Sequence, residues 1–177
     1  MAIPALEADG LVRHVERRLA AHGLPPEALV VEVTEGAMAD GRQAMATLAA
    51  LRCLGVRVAI DDFGAGYSSL ARLRDLPLDV LKIDRAFLTA RGPKGEAILR
   101  AVVELGRSLG LPTVAEGVET AEQLGLLRRV GAGLAHGYLI ARPMPAAELG
   151  AWTRSWADGR LLGPCLDLLR RADAESR

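Results

Sequence analysis

Short β-branched runs alternate with amphipathic stretches along this chain, and that alternation limits its fold more than any other feature. The runs are 29–34, 56–60, 80–83 and 113–115, with a weaker one over 135–140. Runs of this kind, bounded by turn residues, predict buried strands. Between them apolar residues recur three or four positions apart: Ala44, Leu48 and Leu51; then Ile98, Val102, Leu105 and Leu109; then Leu124, Leu127 and Val130. That spacing predicts amphipathic helices, and Gly55, Gly110 and Gly131 follow where a left-handed cap is expected. Strand–helix alternation with short links implies parallel strands joined by right-handed crossovers. A closed (β/α)8 barrel takes ~250 residues, whereas this chain has 177. Five strands are read here, and the opening Ala2-Ile3-Pro4-Ala5 offers a sixth. Read as a barrel, this α/β chain would be an incomplete TIM-type barrel of five or six βα units, about two short of closure. An open doubly wound sheet fits the length equally well, and periodicity alone does not choose. No linker marks a second domain, so residues 1–158 are expected to form one unit. Residues 159–177 read as a tail with a short helix from Pro164 to Arg171.

Composition narrows the class of function. Lys+Arg and Asp+Glu number 22 each, which excludes binding a nucleic acid polymer by bulk charge. No apolar run approaches ~18 residues, so no membrane span is expected. Met1-Ala2-Ile3-Pro4 shows no secretory leader pattern. Cys53 and Cys165 fit no disulfide or zinc framework, so a cytoplasmic location is expected. Only Lys82 and Lys94 are lysine. A lysine among apolar neighbours is therefore a specific choice of a compact ammonium over a guanidinium.

Charge gathers at the downstream ends of the expected strands. Glu32 and Glu35 close the first, Asp61-Asp62 the second, Lys82 and Asp84 the third, and Glu116 and Glu119 the fourth; His136 lies in the fifth. Parallel strands bring these ends to one rim, where barrel and open-sheet enzymes carry their sites. Charges inside apolar strands cost several kcal/mol unless paired or bound to metal. The surplus of carboxylates over lysine favours a hard divalent cation such as Mg²⁺, Mn²⁺ or Ca²⁺. Each residue also has a plainer reading. Glu35 fits a helix cap, Asp61-Asp62 a turn, and Lys82 an ion-pair partner for Asp61 or Asp84. Glu119-Thr120-Ala121-Glu122 fits a helix start, and His136 a hydrogen-bonded core histidine. Four consecutive strands ending in charge exceed what packing needs.

The segment Asp62-Phe63-Gly64-Ala65-Gly66-Tyr67-Ser68-Ser69-Leu70 follows the second strand and leads into a helix that Ser68 or Ser69 would cap. Gly64 and Gly66 allow close backbone approach. The segment lacks the Gly-Lys-Ser/Thr of a Walker loop and the third glycine of a dinucleotide fingerprint. A ligand lid and a rigid turn both remain open.

Taken together these motifs resemble the EAL-domain cyclic di-GMP phosphodiesterases. Asp61 to Leu70 resembles that family's DDFG-x-GYSSL, Leu81-Lys82-Ile83-Asp84 its LKID, and Ala115 to Thr120 its AEGVET. Glu32-Val33-Thr34-Glu35 resembles its E-x-T-E, and Gly137-Tyr138-Leu139 with Arg142-Pro143 its GY-L-x-x-RP. The resemblance implies a modified (β/α)8 barrel that cuts one phosphodiester of cyclic di-GMP to linear pGpG, with Mg²⁺ or Mn²⁺ in a two-metal site. It implies Glu32, Asp61 and Asp62 at the metal, and Lys82 and Glu116 as catalytic groups holding and activating water. Glu35 and Glu119 would brace the loop that holds Phe63, Gly64, Gly66 and Ser68, which in the family also touches a dimer interface. His136, Arg142 and Pro143 would meet substrate.

The sequence also departs from the family pattern. The naming Glu-Ala-Leu strand is absent upstream, Ala2 falls where a metal-binding asparagine is expected, and His136 replaces the usual glutamine. Loss of metal ligands predicts impaired catalysis. A complementing chain would then be needed to supply the absent glutamate and asparagine, while the unpaired edges of an unclosed barrel predict an oligomer. The alternatives are an inactive module that binds cyclic di-GMP or a protein partner as a regulator, and an unrelated βα enzyme with a carboxylate–metal site.

Overall fold

Parallel β-strands of consecutive order form the centre of the chain. The computed structural model describes residues 6, 8, 10–34, 42–64, 73, 76–90 and 92–157. Within them run α1 (Leu11–Ala21), a 3-10 turn (Pro26–Ala28), β1 (Val30–Thr34), α2 (Arg42–Leu54), β2 (Arg57–Phe63) and β3 (Val80–Ile83). There follow α3 (Ala86–Thr89), α4 (Pro93–Ser108), β4 (Thr113–Ala115), α5 (Ala121–Val130), β5 (Leu134–Ala135) and α6 (Ala146–Ala157). The five strands pair in parallel in the order β1-β2-β3-β4-β5. This order settles the choice left open by periodicity. A doubly wound sheet reverses its strand order at a switch point, and none occurs here. The fold is an α/β barrel segment.

Alternation along the strands divides the sheet into two faces. Val31 and Val33 of β1, Val58 and Ile60 of β2, and Leu81 and Ile83 of β3 are buried on the helix side. Leu48 and Leu51 of α2 join the first core cluster, and Leu99, Val103, Leu127 and Val130 build the second on α4 and α5. Each large aliphatic side chain fully buried in this way contributes about 1.5–3 kcal/mol. Gly55, Gly110 and Gly131 all take left-handed φ (101°, 69° and 77°) at the ends of their helices. Thr120 caps α5 in a reciprocal box with Gln123, so the segment around Glu119 does start a helix.

Three expectations are corrected. On α4 the expected Val102, Leu105 and Leu109 do pack against the core, but Ile98 is 53% exposed and the fully buried line is Leu99, Val103 and Gly106. Both lines are apolar, and packing against the sheet selects the one about 100° further round. The fifth strand ends at Ala135 rather than Ile140, so His136 lies just beyond it. His136 still donates to the Ala115 carbonyl and accepts from the Val118 N–H, and Gly137 beyond it sits so close to the Val118 backbone that no side chain fits. The helices α1 and α6 lie outside the stretches read as helical. α1 buries Leu19 and packs Leu11, Val12 and Val15 against the first cluster, whereas α6 is largely exposed. The possible strand over 2–5 and the helix over 164–171 lie outside the described residues.

Packing on β3 makes one test direct. Leu81→Ala, at a fully buried position, should cost about 2–5 kcal/mol of unfolding free energy in urea. Ile98→Ala should stay within about 0.5 kcal/mol of the parent. Equal losses at the two positions would contradict the assigned face of α4.

Candidate active site

The strand face opposite the helices carries the polar residues. Glu32 of β1, Asp61 of β2 and Lys82 of β3 alternate with the buried residues named above, so each points away from the helix layer. Glu116 follows β4 directly, its backbone N–H donating to the Ile83 carbonyl at 3.0 Å. The four meet around one ammonium. Lys82 Nζ lies 2.7 Å from Glu32 Oε2, 3.0 Å from Asp61 Oδ1 and 2.6 Å from Glu116 Oε1. Burial alone would lower the lysine pKa, but the hydrogen bonds it donates to Glu116, Glu32 and Asp61 outweigh this and hold the group well above the ordinary lysine range.

Asp62 reaches the same rim by a different route. Strict alternation would turn it toward the core, yet β2 carries a bulge against β3 between Ile60 and Phe63. The residue adopts φ of 54°, a left-handed backbone that costs a non-glycine residue about 1–2 kcal/mol and that aspartate tolerates better than most. The bulge keeps Asp62 on the exposed side while Phe63 returns to the core at 4% exposure. As a result Asp61, Asp62 and Glu116 each present a carboxylate oxygen within 4.8 Å of the others. The Asp62 pKa is raised, first by partial loss of hydration and then by the charges of Asp61 and Asp84. A site that crowds anions in this way gains from a cation.

A cleft of about 800 Å³ opens beside these carboxylates. Its wall includes Asp62, Glu116, Glu119, His136, Arg142 and Pro143. Arg142 lies over the Tyr138 ring, 4.7 Å from its centroid. Sequence reasoning thus brought to one place Glu32, Asp61, Asp62, Lys82 and Glu116, with Phe63 and Gly64 directly behind and Glu119, His136, Arg142 and Pro143 on the cleft wall. Glu35, Gly66 and Ser68 lie outside the described residues. Of the two partners considered for Lys82, Asp61 is bound, whereas Asp84 accepts from the Ala86 N–H at 2.8 Å. Tyr138 and Trp152, which also line the cleft, were not anticipated as site residues. Trp152 and Trp156 stack four positions apart on α6, and that spacing was the available signal.

Comparison with known proteins defines the class. A family model described as the EAL domain matches residues 3–143. The bifunctional diguanylate cyclase/cyclic di-GMP phosphodiesterase MucR of Pseudomonas aeruginosa is 48% identical over 143 residues, which are 79% of this chain and 21% of MucR. The solved MucR phosphodiesterase in complex with c-di-GMP superposes with a TM-score of 0.77 at 45% identity, covering 84% of this chain and 62% of that one. Klebsiella pneumoniae BlrP1, solved with manganese and cyclic di-GMP, matches at a TM-score of 0.76 and 37% identity, over 81% of this chain and 38% of its own. The parallel barrel segment with an acidic rim is therefore that of a cyclic di-GMP phosphodiesterase family. The chain belongs to the EAL-domain family. It spans about a fifth of the length of MucR. Among the described residues no helix is long and apolar enough to cross a membrane.

The ion cluster predicts how one substitution behaves. Lys82→Met leaves Glu32, Asp61 and Glu116 facing one another. The loss at pH 7 should fall at or below the ~3–5 kcal/mol of a broken buried pair, because these carboxylates keep between 23% and 48% of their exposure. The folded pKa of Lys82 lies above its unfolded value, so its contribution is whole below about pH 10 and is lost only as pH rises through the folded value. Urea unfolding of parent and variant should differ by a constant amount from neutral pH to about pH 10. The gap should narrow in acid, where the opposing carboxylates lose their charge.

Proposed function

We propose that this chain carries a metal-dependent phosphodiesterase site that opens cyclic di-GMP to linear pGpG, and that turnover by these 177 residues on their own is impaired. The observation that supports it best is the convergence of Asp61, Asp62 and Glu116 within 4.8 Å on the rim of the cleft. The donors are all carboxylate oxygen, a set that fits Mg²⁺ or Mn²⁺ better than zinc. Asp61, Asp62 and Glu116 would hold the cation, with Glu32 beside them. The bound ion supplies Lewis-acid stabilisation of charge on a phosphoryl oxygen.

The chain's own groups account for the remaining chemistry. Glu116 accepts a proton from the attacking water. Lys82, charged at every physiological pH, would turn one of its three donors from a carboxylate to that water or to a phosphate oxygen once the cation takes up the carboxylate's charge. Arg142 and His136, on the cleft wall, face the dinucleotide, and Pro143 packs beside it. Glu119 lines the same wall next to Glu116. The relatives' names and ligands support cyclic di-GMP as the substrate class.

The reading of impairment rests on ligand number. Two-metal phosphodiester cleavage draws on two ligand sets, and among the described residues three carboxylates converge on one point. That arrangement also favours the second reading, a module that binds cyclic di-GMP as a regulator without cutting it. The outer edges of β1 and β5 are open among the described residues, with Val30 41% and Leu134 59% exposed. Open edges favour association, either with a second copy or with a complementing chain.

Two measurements check this reading. Incubation with cyclic di-GMP and Mg²⁺ or Mn²⁺ should give little pGpG, while calorimetry in the same buffer should detect binding that Glu116→Gln weakens. Robust pGpG formation abolished by Glu116→Gln would uphold the activity and refute the impairment; neither binding nor cleavage would overturn both. Separately, Mn²⁺ at about a hundred times its dissociation constant should raise stability by about 2.7 kcal/mol at neutral pH. Asp61→Asn should remove that gain, which thermal unfolding with and without chelator would read.

A further inference from the structure

We infer that the short segment after β3, residues Asp84 to Phe87, is a brace that fixes the spacing between the two turns bearing the acidic groups, and that Phe87 is a positioning residue for Asp61 and Asp62. The inference rests on the metal-site reading above and concerns groups that do not themselves reach the cation. Phe87 stands on α3, half-buried at the edge of the second core cluster. The tip of its ring fills the space over Gly64, so a Cβ at that position would run into the ring. Gly64 follows Asp61-Asp62-Phe63 directly and has φ of 93°, so neither its backbone angle nor its surroundings admit a side chain.

The same segment touches the neighbouring turn. Arg85 presses its Cβ against Gly117, where an added Cβ would lie 2.7 Å away. Gly117 follows Glu116 and has φ of 68°. Between these contacts Asp84 holds the segment's own first turn, accepting from the Ala86 N–H at 2.8 Å. Its side chain also lines the cleft together with that of Asp62. One four-residue stretch therefore meets the turn after Asp62 and the turn after Glu116, each time at a glycine. The bulged, left-handed backbone at Asp62 needs such support, because strain of this kind persists only where the surroundings over-determine it.

The experiment compares wild type, Phe87→Ala, Gly64→Ala, the double variant and Leu127→Ala, a core substitution on α5 that serves as a stability control. Mn²⁺ uptake is followed by electron paramagnetic resonance of the free ion. Amide hydrogen exchange at residues 61–64 is measured without metal. Phe87→Ala and Gly64→Ala should each weaken Mn²⁺ binding by about 10–100-fold, the usual range for groups that orient metal ligands. The double variant should bind more tightly than Gly64→Ala alone, because removing the ring makes room for the methyl. Exchange at 61–64 should quicken about tenfold in Phe87→Ala, and Leu127→Ala should leave both readouts within about twofold once matched for stability. Unchanged Mn²⁺ affinity and exchange in Phe87→Ala would overturn the brace, and loss of Mn²⁺ in Glu116→Gln would show that the metal reading survives it. If wild type takes up no Mn²⁺, the metal reading fails, and the exchange data alone uphold or refute the brace.

Discussion

One ammonium organises the polar face of the sheet. Lys82 lies within 3.0 Å of carboxylates from three other segments of the chain, and its stem is flanked by the fully buried Leu81 and Ile83. Three negative charges could not share so small a volume in a largely apolar setting without a counter-charge. The lysine thus lets β1, β2, β3 and the end of β4 bring acid groups to one place before any cation arrives. A guanidinium, planar and forked, would match one carboxylate well; a compact ammonium with three rotatable donors serves three. That difference explains a lysine at this position in a chain that otherwise uses arginine almost throughout.

A second constraint acts through the backbone. Without the bulge in β2, strand alternation would offer Asp61 or Asp62 to the rim, never both. The left-handed residue and the shifted register together convert a sequential pair into a convergent one. Local strain at a functional turn is stabilised by distant packing, and here Phe63 in the core anchors one side of the turn.

Much of this was legible in the residues. β-branched runs located the first four strands, because a strand buried on its helix side needs apolar residues at alternate positions. The rim residues followed from parallel topology, since every strand then delivers its downstream end to the same side. What the pattern hid was tertiary. Ile98 and Leu99 are equally apolar, and only contact with the sheet decides which turns inward. The fifth run looked continuous, yet the regular ladder covers two residues and the chain beyond it is held by irregular backbone bonds to Ala115 and Val118. The left-handed Asp62 leaves no periodic trace, and the Tyr138–Trp152 wall joins segments that meet only through the fold.

The elevated affinity of Lys82 for its proton has a chemical corollary. Amines acylate through the neutral form, and an ammonium held by three anions offers very little of it. Lys94 stands exposed to solvent. Acetyl donors and amine-directed labels would therefore collect on the outer surface at Lys94, and the lysine at the heart of the acidic rim would stay chemically silent for as long as the fold holds.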